Sequence, residues 1–108
     1  ADDVINKSGV KFYPIELENA LKCHSQVLDA AVIAWPHPFH GQVPIAFVTC
    51  RTKTTADALM AFCARYIAPF KLPAAIVFLP EFPRNAMGKI LKGNLREMFG
   101  KAKGLEQA

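Results

Sequence analysis

Three apolar runs of strand length constrain this chain most: AAVIAW at 30–35, PIAFVTC at 44–50 and AAIVFL at 74–79. Each is too short to be a long buried helix and is followed by residues that cannot extend it. Pro36-His37-Pro38 follows the first and a polar stretch at 52–56 follows the second. Pro80 and Pro83 follow the third. Proline carries no amide hydrogen for a ladder, so the first run is expected to end at Trp35. The second run is rich in β-branched and aromatic residues, which favour a pleated, half-buried surface.

Helical patterns lie between and around these runs. Pro14 suits a first helical turn, and Ile15, Leu17, Ala20 and Leu21 follow at roughly helical spacing, which predicts a helix over 14–23. Glu16 and Glu18 fall in its first turn, where the helix dipole favours acids. A second helix is expected over 55–67, with Leu59, Met60, Phe62, Cys63, Tyr66 and Ile67 largely on one side. A third is expected over 89–99, with Ile90, Leu91, Leu95, Met98 and Phe99 inward and Gly100 as its C-terminal cap. The tail at 101–108 reads as frayed. At the other end, DVINK (3–7) and VKFY (10–13) flank Ser8-Gly9, a tight-turn signal, and form a hairpin.

The fold class is therefore α+β: a small three-stranded sheet packed with helices, plus an N-terminal two-stranded hairpin. The 108 residues make one domain with a modest core. A net charge of +4 with no basic run gives no footprint for nucleic acid. Cys23, Cys50 and Cys63 contain no CxxC pair and read as reduced, buried thiols. His37 and His40 share a loop but lack a third ligand at a metal-site spacing, so no metal site is assigned. No apolar stretch approaches the ~20 residues of a membrane span and no signal peptide is visible, which points to the cytoplasm. The chain opens ADDVIN, without an initiator methionine, and reads as a piece of a longer protein.

One segment does not fit a purely structural chain. In FPRNAMGKILKGNLREMFG (82–100) a proline-shaped loop passes Gly88 and sets Lys89 at the expected start of the last helix. A lysine there opposes the helix dipole at a cost of some tenths of a kcal/mol. Loop, glycine, lysine and helix together suit an anion, but the GxxxxGK[ST] phosphate loop is absent, because Pro83 stands at its first glycine and Ile90 follows Lys89. Three other segments are each an ordinary loop or turn when taken singly. They are INKSGVKFYP (5–14), PHPFHGQVP (36–44) and APFKLP (68–73). In the first, Gly9 lets a ligand approach the backbone; in the last, Phe70 is either core or a stacking platform.

Together and in this order, these segments resemble the C-terminal domain of the acyl-adenylate-forming superfamily, which includes acyl-CoA synthetases, nonribosomal-peptide adenylation domains and firefly luciferase. ADDVINKSGVKFYPIELENAL is similar to its hinge and hairpin, WPHPFHGQVPIAFV to the intervening segment, and PFKLP with FPRNAMGKILKGNLRE to its final motif. The resemblance covers residues 1 to about 100 and implies a two-step enzyme split over two domains. A large N-terminal domain, absent here, would bind ATP, Mg²⁺ and the carboxylic acid. Lys89 would contact the carboxylate and the α-phosphate as acyl-adenylate forms. After rotation about Asp2, the hairpin at 3–13 would face the site while the thiol of coenzyme A attacks. Ser8 and Gly9 would then line the path of the pantetheine arm. Lys11 would meet a phosphate, and His40 and Phe70 would lie against adenine. Some relatives carry arginine or lysine where this chain has Ala74 and Ala75, so Lys11, Lys71 or Arg51 would have to supply that positive charge. The isolated domain would be inactive. A carrier protein in place of coenzyme A, or a non-catalytic binding module, are the alternatives.

Overall fold

The computed structural model describes residues 3–107, and of 105–107 the backbone only. Its elements are β1 (Ile5–Lys7), β2 (Val10–Phe12), α1 (Pro14–Lys22), β3 (Val27–His37), β4 (Gly41–Cys50), α2 (Ala56–Cys63), a 3₁₀ turn (Pro69–Lys71), β5 (Ala75–Phe78) and α3 (Lys92–Gln107). The α+β reading holds. β3 and β4 form a long antiparallel pair, and β5 runs parallel to β4 on its other side. The hairpin β1–β2 joins the same sheet through one antiparallel pairing, Lys7 with Gly41, so it is an extension of the sheet.

Side chains alternate across a strand, and both faces of β3 and β4 are covered. Ala30, Val32, Ala46 and Val48 pack with Leu17 and Leu21 of α1 and with Leu59 and Cys63 of α2. Ala31, Ile33, Ile45 and Phe47 pack with Leu95 and Phe99 of α3. Burial on both faces is why the runs read as continuous apolar stretches rather than alternating ones. The result is three layers, with α1 and α2 on one face and α3 on the other.

Several boundaries differ from expectation, each for a physical reason. β3 continues through Pro36 to His37, with Pro36 opposite Gln42, because β3 is an edge strand and tolerates a missing amide hydrogen. β4 accordingly starts at Gly41. α2 ends at Cys63, beyond which tight turns carry the chain, so Tyr66 is exposed. α1 ends at Lys22. α3 starts at Lys92, not Lys89, because Arg84 and Ile90 pair as an isolated antiparallel bridge and Leu91 N–H donates to Pro83 O at 2.9 Å. Lys89 therefore carries no helix-dipole penalty.

Gly100 lies inside α3, where the helix crosses the indole of Trp35; a β-carbon there would sit 3.4 Å from Trp35 Cη2. The segment expected to fray continues as helix to Gln107, supported by strong helix formers and a Glu97–Lys101 pair at 3.4 Å. Met98 is exposed rather than inward, while Leu95 and Phe99 are buried. The thiols also divide: Cys23 is exposed, Cys50 is half-buried and Cys63 is buried, all three free. Burial pushes the Cys50 and Cys63 thiols up, which leaves them protonated and unreactive.

Glu18 differs most in meaning. It lies on the buried stripe of α1 beside Leu17 and Leu21 instead of serving the dipole. Its Oε2 accepts the Val32 amide at 2.9 Å, closing part of the open edge of β3, and lies 2.8 Å from Lys92 Nζ. Lys92 Nζ also reaches Asp3 Oδ2 at 3.0 Å, and Arg96 Nη2 stands 3.8 Å from Asp3 Oδ1. The hydrogen bond from Lys92 holds the Asp3 carboxyl below its ordinary range, against a smaller opposing effect of burial.

Two predictions follow from this edge. Glu18→Ala strands a buried amide and removes the inner partner of Lys92, so urea unfolding should record a loss of about 2–3 kcal/mol. An Asp3 carboxyl with a depressed pKa contributes stability that is fully present above about pH 4 and lost as pH falls through its lower folded value. Asp3→Asn should therefore flatten the stability profile below about pH 4 and leave its shape near neutrality unchanged.

Candidate functional site

Two groups of candidate residues sit at opposite ends of the β3–β4 ladder. At the His37–Gly41 end lies the hairpin turn. Ser8 and Gly9 both have positive φ, 51° and 86°, the geometry of a two-residue hairpin loop that matches strand twist. Serine pays roughly 1 kcal/mol or more for that conformation, and local bonds offset it. Ser8 N–H donates to His40 O at 2.7 Å, and Ser8 Oγ and His40 Nδ1 are hydrogen-bonded at 2.9 Å. His37 Nδ1 accepts the amides of Phe39 and His40, each at 3.1 Å, which folds the turn that presents His40. Gly9 faces open space, and its amide donates to Asn6 Oδ1 at 3.0 Å.

Phe70 reaches this end from the 3₁₀ turn. Lys7 Nζ lies 4.4 Å above its ring centroid and donates to Phe70 O at 2.9 Å. The ring is thus half-exposed and fixed by a cation–π contact. Lys71 Nζ pairs with Glu16 Oε2 at 3.6 Å and lies 5.8 Å from the Phe12 ring centroid. Lys11 is exposed on β2 opposite Asn6. Ser8, Gly9, His40 and Phe70 are therefore brought together through Lys7, while Lys71 is committed to α1. Asp2 lies outside the described residues. Arg51 is at the far end of β4, donating to Val27 O at 3.4 Å, so it cannot stand in for a cation beside the hairpin. Ala74 and Ala75 instead line a cleft of about 510 Å³ with Trp35, His37 and Phe99.

At the other end is the loop 84–90. Asn85 Oδ1 accepts the amides of Met87 and Lys89 at 2.9 and 3.0 Å, and Asn85 N–H donates to Lys89 O at 2.9 Å. Gly88, at φ 86°, makes the turn possible. Arg84 clamps it: Nη1 donates to Gly88 O at 2.9 Å and Nη2 pairs with Asp29 Oδ2 at 2.7 Å. The Lys89 backbone is fully bonded while its side chain is exposed, next to the exposed Met87. Asp29 and His37 are eight positions apart on β3, so the two ends are separated by about 26 Å of strand.

Lys7, Arg84, Asn85 and Asp29 escaped the sequence reading. Asn85 carried a signal, since Asn three residues before Gly88 marks a side-chain-stabilised turn. Lys7 carried none, because its partner lies 63 residues away.

The chain matches the model of the AMP-binding enzyme C-terminal domain family over residues 16–89. It is 38% identical over 97 residues to a 2-succinylbenzoate–CoA ligase of Bacillus cytotoxicus, covering 90% of this chain and 20% of that protein. A peroxisomal butyrate–CoA ligase of Arabidopsis thaliana is 38% identical over 101 residues, with 89% and 18% covered. Among solved structures, a Mycobacterium tuberculosis fatty acyl CoA synthetase superposes with a TM-score of 0.86 at 32% identity, over 93% of this chain and 20% of that one. The o-succinylbenzoate CoA synthetase of Bacillus subtilis, solved with its acyl-adenylate intermediate, gives 0.82 at 33%, over 87% and 19%. The chain spans about a fifth of the length of the relatives it matches.

The Arg84 clamp yields a test of the loop. An exposed ion pair contributes about 0–1 kcal/mol, so Arg84→Met should barely move global stability. Amide exchange at 85–90 should nevertheless accelerate by roughly tenfold, because local opening is governed by local bonds.

Proposed function

We propose, on the footing that this chain belongs to the AMP-binding enzyme C-terminal domain family, that it is the mobile C-terminal domain of an acyl-CoA synthetase. The whole enzyme would join a carboxylic acid to ATP and pass the acyl group to coenzyme A, in the cytoplasm. The observation that carries this reading is the pair of preshaped elements, the Lys89 loop and the Ser8–Gly9 hairpin, at opposite ends of one rigid ladder.

In the first half-reaction a carboxylate approaches a polyphosphate, and two anions repel. A cation held between them offsets that repulsion and fixes the line of attack. Lys89 suits this role: its backbone is immobilised by Asn85 and Arg84, and its ammonium faces outward as a compact charge. The ATP, acid and Mg²⁺ sites would belong to the rest of the enzyme. Among the described residues no group of three or more His, Cys, Asp or Glu can hold a metal, and no step here runs through one.

In the second half-reaction a thiol must reach the acyl carbonyl. The open space over Gly9 admits a narrow chain beside the backbone. The Phe70 ring, braced by Lys7, offers a stacking face, and Lys7 and Lys11 supply positive charge for the phosphates of coenzyme A. Since about 26 Å of strand separates this end from the Lys89 loop, one active site can use only one of them at a time. Rotation of the domain between steps, about the segment containing Asp2, meets that requirement.

Lys89→Ala in the full-length enzyme tests the assignment. Adenylation, read by ATP–pyrophosphate exchange, should fall on the order of 10²–10³-fold. Conversion of preformed acyl-adenylate to thioester should change little. Equal loss of both half-reactions would sink the role given to Lys89.

A further inference from the structure

We propose that Lys92 is a positioning residue: its ammonium latches the N-terminal linker to the helix behind the Lys89 loop, with Asp3 as the arm that releases. The inference rests on the two-step reading above. The described chain enters at Asp3, and the β1 ladder begins at Ile5. Between them, the ionic partners of Asp3 are Lys92 at 3.0 Å and Arg96 at 3.8 Å, both on α3. The direction in which the linker leaves the domain is therefore set by α3. Lys92 is also the first residue of that helix, three positions after Lys89, and the Leu91 amide closes the loop base onto Pro83. A contact at Lys92 thus couples the linker to the loop that presents Lys89.

The two arms of the latch differ in a way that suits opening. The Glu18 side chain is only 12% exposed and is tied to the Val32 amide, so it stays with Lys92. The Asp3 side chain is 43% exposed, and water can solvate its carboxylate once it leaves. A half-buried ammonium that lost its one partner would resist opening strongly; Lys92 keeps a carboxylate at 2.8 Å in either state. A cleft of about 340 Å³ beside Asp3 and Lys92, lined also by Tyr13 and Ile15, gives the segment room to move. The latch serves the half-reaction that needs Lys89 held at a fixed distance, since misplacing a positioned group by about 1 Å is enough to slow a reaction steeply.

The experiment compares both half-reactions in the full-length enzyme for Asp3→Asn and Lys92→Arg, with Lys89→Ala alongside. Asp3→Asn should lower adenylation about 3–10-fold and leave thioester formation from preformed adenylate within about twofold. Lys92→Arg keeps the charge and should retain the wild-type ratio of the two rates. An unchanged ratio in Asp3→Asn, equal loss of both rates, or selective loss of the thioester step overturns the latch. If Lys89→Ala shows its selective loss while Asp3→Asn leaves the ratio unchanged, the latch alone fails. If Lys89→Ala shows no selective loss, the two-step reading fails and the latch with it.

Discussion

Burial of β3 and β4 on both faces is the constraint on which the rest of this structure depends. Alternate residues of each strand must find apolar cover on opposite sides, which places α1 and α2 on one face and α3 on the other. A fully buried Val, Leu, Ile or Phe contributes about 1.5–3 kcal/mol. The pairs that hold the loops are exposed or half-exposed, and such pairs contribute about 0–1 kcal/mol. Stability therefore resides in the ladder and its cover. The loops at its ends are free to be shaped for something else, since their bonds set position without deciding whether the chain folds.

The ionic group at Glu18 is the point where these two economies meet. Its carboxylate serves the fold by accepting an edge amide of β3 and serves geometry by anchoring Lys92. Because Glu18 is almost buried, its charge requires the ammonium; because Lys92 is long, that ammonium can also reach the linker. One buried acid on α1 thereby connects the strand edge, the start of α3 and the entry of the chain.

Much of this was legible in the sequence because apolar continuity and proline placement are local signals. The three strands, the hairpin turn and the existence of three helices follow from them. Boundaries failed where a partner distant in sequence decided the outcome. Pro36 remains in its strand because β3 has a free edge, which depends on strand order. Lys89 is excluded from α3 because Arg84 and Ile90 pair across the loop, which depends on Asp29 drawing Arg84 to β3. Glu18 sits at a position where local rules favour an acid for the dipole, and only its spacing with Leu17 and Leu21 marked it as buried. The site divides in the same way. Ser8, Gly9, His40, Phe70 and Lys89 stand in recognisable segments, whereas Lys7, Arg84 and Lys92 act through contacts that no local pattern encodes.

The correction at Lys89 changes the reason for regarding it as functional. A lysine opposing a helix dipole would have been a small energetic anomaly, and small anomalies are common. What the structure has instead is a loop whose amides and carbonyls are satisfied internally, so that none of them depends on the lysine side chain. Side-chain entropy favours leaving an exposed lysine mobile, and a stability argument accounts for no more than that. The bracing by Asn85, Gly88, Arg84 and Asp29 limits where the root of the side chain can be while leaving its tip uncommitted. That combination suits a group whose partner arrives from outside the domain. The same logic holds at the hairpin, where His40 restrains Ser8 and Lys7 restrains Phe70, leaving Gly9 open. Two restrained roots with open tips, separated by the length of a rigid ladder, are what a domain needs if it is to meet one reaction centre in two different orientations.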